Sequence, residues 1–146
     1  MGRCRAMGCV LRRLRLIDKT LLTIMTHPTF GNGKICYIEL PASDPARSAQ
    51  FFKEIFGWNI RTRGDGATSF DDAIGEVSGS FDSGKTPAVH PGFILSIMVD
   101  DIRKTIAQIE AFGCEIVDPL GFHPTELIAH FRDPGGNLLG LYQEPG

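Results

Sequence analysis

Carboxylates, imidazoles and phenols are the groups in this chain that can do chemistry near neutral pH. Tyr37 and Glu39 stand two apart in "KICYIEL". In an extended strand they share a face with Ile35, while Cys36, Ile38 and Leu40 take the other. A carboxylate on such a face accepts a hydrogen bond from a substrate OH or NH, or acts as a general base. The plainer alternative is an exposed strand Glu, or one paired with an Arg. The Tyr37 and Tyr142 phenols either meet a ligand or are core aromatics whose OH finds a nearby acceptor. His90 and His123 each precede a Pro, which reads as solvated loop, and His130 beside Phe131 reads as a structural strand His. The spacing His123-x6-His130 matches no usual metal pattern. "GNG" at 31–33 follows no strand and opens no helix, so it is not a phosphate loop.

The elements that must hold these groups follow from pattern. A strand is expected over about Lys34 to Leu40. Asp44 suits an N-cap and Pro45 the first helical position. Ala49, Phe51, Phe52, Ile55 and Phe56 then form one apolar stripe, and Gly57 stops the helix. Trp58–Arg63 and Thr68–Asp71 read as strands around "GDG", with Val77–Phe81 a fourth. Trp58 reads as packing. "DSGKTPAVHPG" is a linker. The order then recurs. Phe93–Val99 is a strand, and Asp100 is expected to cap a helix striped by Ile102, Ile106, Ile109 and Phe112 before Gly113. Glu115–Asp118 is a strand, and Glu126–Arg132 with Asn137–Gln143 form a hairpin across "DPGG".

A chain of 146 residues, 42% hydrophobic and 22% charged, is long enough for one domain with a real core. A net charge of −2 gives no electrostatic case for nucleic acid or an acidic membrane surface, and no apolar run is long enough to span a bilayer. Of four cysteines none forms a CxxC pair; Cys36 and Cys114 sit among apolar strand residues, so reduced, buried thiols and a cytoplasmic protein are expected. Residues 1–33 read as an extension outside the domain. Arg12, Arg13 and Arg15 interrupt any secretory apolar stretch, and the opening segment lacks the Ser of a mitochondrial presequence. Either Met25 is the true start, or the segment is a short docked helix.

Laying Asp44 on Asp100 needs no gap and matches Arg47 with Arg103, Glu54 with Glu110, Phe56 with Phe112, Gly57 with Gly113 and Ile60 with Ile116. With the matching segment order this predicts an α+β domain over 34–145, built as tandem βαβββ modules at about 34–83 and 91–145. On "ELPASDPARSAQFFKEIFGW", "VDDIRKTIAQIEAFG" and "FRDPGGNLLGLYQ" the chain resembles the vicinal oxygen chelate superfamily of glyoxalase I, bleomycin-resistance proteins and extradiol dioxygenases. The resemblance implies a curved mixed sheet around a central cavity. In metal-dependent members His and Glu hold a divalent ion there.

On this resemblance the first ligand position is Tyr37, its module-two counterpart Phe93 or Ile94, and the last Gly140. Glu76 is the nearest carboxylate to the remaining position. No metal or other cofactor is therefore expected. The cavity face implied is Tyr37, Glu39, Phe93, Leu95, Ile97, Leu138, Gly140 and Tyr142, with His123 reaching over the mouth. A carboxylate in so apolar a lining would have its pKa raised by desolvation. Two readings follow: a metal-free binder of a small, partly apolar molecule, and a lyase, isomerase or dioxygenase-type enzyme using Glu39 as base or a shifted metal site. A purely structural dimerisation module is a third. The expected partners are a small molecule and a second copy in a homodimer.

Overall fold

The computed structural model describes residues 28–146. By contacts the chain divides into two compact units, Met1–Ile35 and Cys36–Gly146. In the first, the Lys34 amide donates to Gly31 O and its Nζ to Thr29 O. The readings of Met25 as start and of a docked helix in 1–27 lie outside the described residues.

In the second unit the chain runs β1 (Tyr37–Pro41), α1 (Pro45–Phe56), β2 (Asn59–Thr62), β3 (Thr68–Asp71) and β4 (Ser78–Asp82). It repeats as β5 (Ser96–Met98), α2 (Ile102–Phe112), β6 (Ile116–Asp118), β7 (Leu127–Arg132) and β8 (Leu138–Gln143). One sheet has the order β1-β4-β3-β2 and the other β5-β8-β7-β6, so the duplication holds in topology. The first and last strands of each module pair in parallel and the rest antiparallel.

The α+β plan of mixed sheets is met, with one four-stranded sheet for each module. β1 and β5 are both edge strands, and the modules join through side chains instead of a ladder. Phe51 of α1 lies edge-on to Phe112 of α2, 5.2 Å between centroids, and 6.0 Å from Phe131 of β7. One core therefore runs from Leu40, Phe70 and Phe81 through both helices to Ala129, Leu139 and Leu141. Trp58 belongs to it, stacked on Phe52 at 4.4 Å and Phe70 at 4.5 Å. The other face of each sheet, away from the helices, is the outer face.

Both helices are closed at both ends by local chemistry. Asp44 accepts from the Arg47 amide at 3.1 Å, and Gly57 takes the left-handed conformation that a side chain disfavours. In module two the cap is Asp101, which accepts from the Lys104 amide at 3.0 Å, and not the Asp100 expected. α2 is one residue shorter than α1, 11 against 12, so an alignment anchored on the glycine stops slips by one at the caps. Counted from the caps, Tyr37 corresponds to Ile94 and Glu39 to Ser96.

The "DPGG" turn fastens the modules together. Buried Asn137 donates to Pro41 O at 2.7 Å and accepts from the Ala88 amide at 2.9 Å, tying β8 to the end of β1 and to the linker. Its Nδ2 also donates to the Asp133 carboxylate at 2.9 Å. Burial pushes the Asp133 carboxyl above its usual range, and hydrogen bonds from Asn137, Gly135 and Gly136 pull it back.

Candidate functional site

Strand alternation and register decide which side chains meet on each outer face. In module one, β1 sends Ile38 and Leu40 into the core, leaving Tyr37 and Glu39 outside, with Tyr37 46% exposed. Tyr37 pairs with Ser78, Ser78 with Asp71, and Asp71 with Asn59. Glu39 pairs with Ser80, Ser80 with Ser69, and Ser69 with Arg61. This face is polar and internally satisfied. The Asp71 carboxylate accepts from both Arg61 Nε and Nη2 at 2.7 Å, from Ser78 Oγ at 2.7 Å and from Asn59 Nδ2 at 3.2 Å. Those bonds, Arg61's first, hold the Asp71 pKa at about 2. Glu39 is not in an apolar lining: it is exposed and ion-paired to Lys85 at 2.9 Å. A general-base role for Glu39 therefore loses the desolvated surroundings on which it was expected to rest.

In module two, Leu139 and Leu141 of β8 enter the core, so Leu138, Gly140 and Tyr142 lie outside. The β7 residues opposite them are Arg132, His130 and Ile128. Ser96 of β5 pairs with Gly140 on the other side. A methyl group on Gly140 would run into Ser96 Oγ and lie 3.2 Å from Ile94 Cγ2, which places both neighbours on the same face. Asp118 of β6 stands beside His130, its Oδ2 2.8 Å from His130 Nδ1. The Phe122 ring lies 5.0 Å from the imidazole. One row thus crosses the sheet: Asp118, His130, Gly140, Ser96.

The expected site residues separate on this geometry. Tyr37 and Glu39 share one outer face, and Leu138, Gly140 and Tyr142 share the other. The Tyr142 hydroxyl donates to Glu144 at 2.8 Å, and that bond raises its pKa. Leu95 and Ile97 do not join Gly140. They face the core side, because β5 has the opposite parity from the one expected; Ile94, Ser96 and Met98 take the outer face instead. Phe93 precedes β5 and is 81% exposed. Leu95 lines a recess of about 670 Å³ with Ile38, Phe56, Trp58 and Phe70 of module one and Gln108 of α2. His123 accepts the Glu126 amide at 3.0 Å and so stabilises its own loop. Cys36 is exposed, contrary to expectation, while Cys114 is half-buried and burial raises its thiol pKa.

The pairing of His130 with Asp118 was missed. Its position opposite Gly140 is legible from the hairpin, since pairing outward from "DPGG" brings residue 130 against 140. Asp118 is not legible in the same way, because the β6–β7 register shifts between Ile116 and Asp118.

The residues present do not fit the divalent ion that the resemblance implies for metal-dependent members. The positions concerned are Tyr37, Ile94 and Gly140. The counterpart of Gly140 in module one is Ser80, since Glu39 pairs with Ser80 as Ser96 pairs with Gly140. Glu76 sits in the β3–β4 turn, its amide donating to Asp72. Among the described residues no three His, Cys, Asp or Glu side chains are grouped to hold a metal.

Paired βαβββ modules in two mixed four-stranded sheets define an α+β class. The chain belongs to the Glyoxalase/Bleomycin resistance protein/Dioxygenase superfamily, whose model matches residues 34–141. It is 28% identical over 126 residues to a glyoxylase-like domain-containing protein of Didymella fabae, covering 79% of this chain and 97% of that protein. Among solved structures it is similar to TnmS3, an antibiotic binding protein from Streptomyces sp. CB03234, with TM-score 0.60 and 22% identity over 80% of this chain and 100% of that one. It is also similar to FosX, a fosfomycin resistance protein of Listeria monocytogenes, with TM-score 0.63 and 16% identity over 79% and 94%. At such identities the structural likeness speaks for the fold. Among the described residues no helix is long and apolar enough to cross a membrane.

Proposed function

We infer that this chain binds a small, partly apolar organic molecule on the outer faces of its sheets, without a metal, and that a second copy closes the space. The observation that carries the reading is the residue set Tyr37, Ser80, Ile94 and Gly140 at the four ligand positions. A phenol, a hydroxyl, an alkyl group and a bare backbone can contact an organic molecule but lack the imidazole and carboxylate donors that hold a borderline cation. Tyr37 and Glu39 supply polar contacts from one module, and Leu138, Gly140 and Tyr142 supply shape and apolar surface from the other. The relatives described as antibiotic-binding or resistance proteins support a binding or sequestering role. Exposed apolar side chains beside these faces support the second copy: Tyr37, Ile94 at 36%, Met98 at 69% and Phe122 at 44%. We place the protein in the cytoplasm, where the free thiols of Cys36 and Cys114 stay reduced.

A thermal-shift screen of small molecules tests this. A ligand at 100 times its Kd adds about 2.7 kcal/mol and is readily seen. Elemental analysis of protein prepared without chelator should find far less than one divalent ion per chain. Near-stoichiometric Zn, Ni, Mn or Fe would overturn the metal-free reading. Sedimentation equilibrium should return twice the chain mass at micromolar concentration, and a monomer there removes the second copy.

A further inference from the structure

We propose that the Asp118–His130 pair and Ser96, set on either side of the bare backbone of Gly140, form a niche that binds the hydroxyl of a planar aromatic molecule. This rests on reading the outer face of module two as a ligand site, and it names the residues and the ligand class.

The argument begins with the tautomer. Asp118 Oδ2 lies 2.8 Å from His130 Nδ1. A carboxylate can only accept, so Nδ1 carries the hydrogen, and in the neutral ring Nε2 is left as an acceptor. The contact also fixes the ring's orientation. Among the described residues neither Nε2 nor Ser96 Oγ has a hydrogen-bond partner, in contrast to the Asp71 cluster of module one. His130 is largely enclosed, its side chain 19% exposed, and its Nε2 is left for water or a ligand to serve.

Shape supplies the second half. Gly140 is register partner to both His130 and Ser96, so no side chain of its own separates them in the row. Ser96 and Ile94 lie close over its backbone, where a methyl group would collide with Ser96 Oγ. The walls are flat and apolar: Phe122 against the imidazole, with Ile94, Leu138 and Met98 on the same face. Aromatic and aliphatic walls around one acceptor and one hydroxyl favour a ring edge bearing OH. A phenol is a stronger donor to imidazole nitrogen than an aliphatic alcohol, and its oxygen can accept from Ser96. A purely structural Asp–His pair, pinning short β6 to β7, would make no such distinction.

The test uses the full chain with 2-naphthol and 2-methoxynaphthalene, which differ by the single donated hydrogen. Wild type should bind 2-naphthol about tenfold tighter than the ether, the usual worth of one such hydrogen bond. 2-Naphthol alone should move the His130 Nε2 signal in ¹⁵N NMR. His130→Phe keeps an aromatic ring and should erase the preference. If that variant does not fold, Gly140→Ala pushes the Ser96 hydroxyl aside and should weaken 2-naphthol binding about tenfold or more. Equal affinity for the two probes, an unmoved Nε2 signal on 2-naphthol binding, an unchanged preference in His130→Phe or unchanged binding in Gly140→Ala overturns the proposal. No binding of 2-naphthol also overturns it. In that event a different compound that raises the melting temperature leaves the wider binding reading standing, and a screen with no hit at all removes both.

Discussion

The two modules share an element order and differ in what they put outside. Module one carries Asp71 with Arg61, Asn59 and Ser78, and Glu39 with Lys85. Its polar groups satisfy one another. Module two carries Leu138, Ile128, Met98 and a glycine, with one imidazole whose second nitrogen has no partner among the described residues. A duplicated fold constrains the inner faces, because both must fill one core around α1 and α2. The outer faces carry no such obligation and are free to diverge. The difference teaches that module one's outer face stabilises itself through its own polar pairs, while module two's leaves more apolar surface and an open imidazole nitrogen for the ligand we propose.

The largest expected effect tests the shared core. Phe51→Ala removes a ring that touches Phe112 and Phe131 of module two, and should cost about 3–5 kcal/mol. Denaturant unfolding should still be one transition. Two separated transitions would show that the modules fold independently, and the comparison would then be between domains.

Asn137→Ala cuts the polar fastening while leaving both outer faces intact. It strips Asp133 of its side-chain donor and frees the Pro41 carbonyl, and should cost about 2–3 kcal/mol. A loss below about 0.5 kcal/mol would mean that the aromatic core alone holds the modules together.

Glu39→Gln asks whether module one contributes to recognition. The melting temperature should stay put, since the exposed pair with Lys85 is worth little to the fold. If Glu39 meets the ligand, affinity for a compound found in the screen should fall about tenfold or more. Full affinity in the variant would assign recognition to module two alone.

The smallest effect is a pH dependence confined to module one. The folded Asp71 pKa, about 2, lies below the ordinary carboxylate value. Its contribution to stability is therefore complete above the unfolded pKa near 4 and is lost as pH falls through about 2. Arg61 is half-exposed, so solvent screens the pair and the gain is about 1 kcal/mol. Asp71→Asn should flatten the acid limb of the stability curve by that amount and leave binding to module two unchanged.

Much of the fold was legible because its signals are local. The caps at Asp44, the glycine stops, the apolar stripe of α1 and the hairpin at "DPGG" each follow from neighbours within a few residues. The cap of α2 was misplaced by one, since "VDDI" offers two adjacent aspartates and only the backbone chooses Asp101. That slip carried into β5. Alternation survives a one-residue error but changes face, so Leu95 and Phe93 were expected where Ile94 and Ser96 stand.

By itself the sequence determined the duplicated α+β plan, the face shared by Tyr37 and Glu39, and the lack of metal donors at three positions, all consequences of periodicity and residue type. Only the tertiary structure decided that the domain is two sheets around a common core, that Glu39 is ion-paired, and that Asp118, His130, Gly140 and Ser96 form one row. Those facts depend on which strands become neighbours and in what register. Register is set by side chains packing across long sequence separations, and one bulge between Ile116 and Asp118 is enough to hide it from any pattern read along the chain.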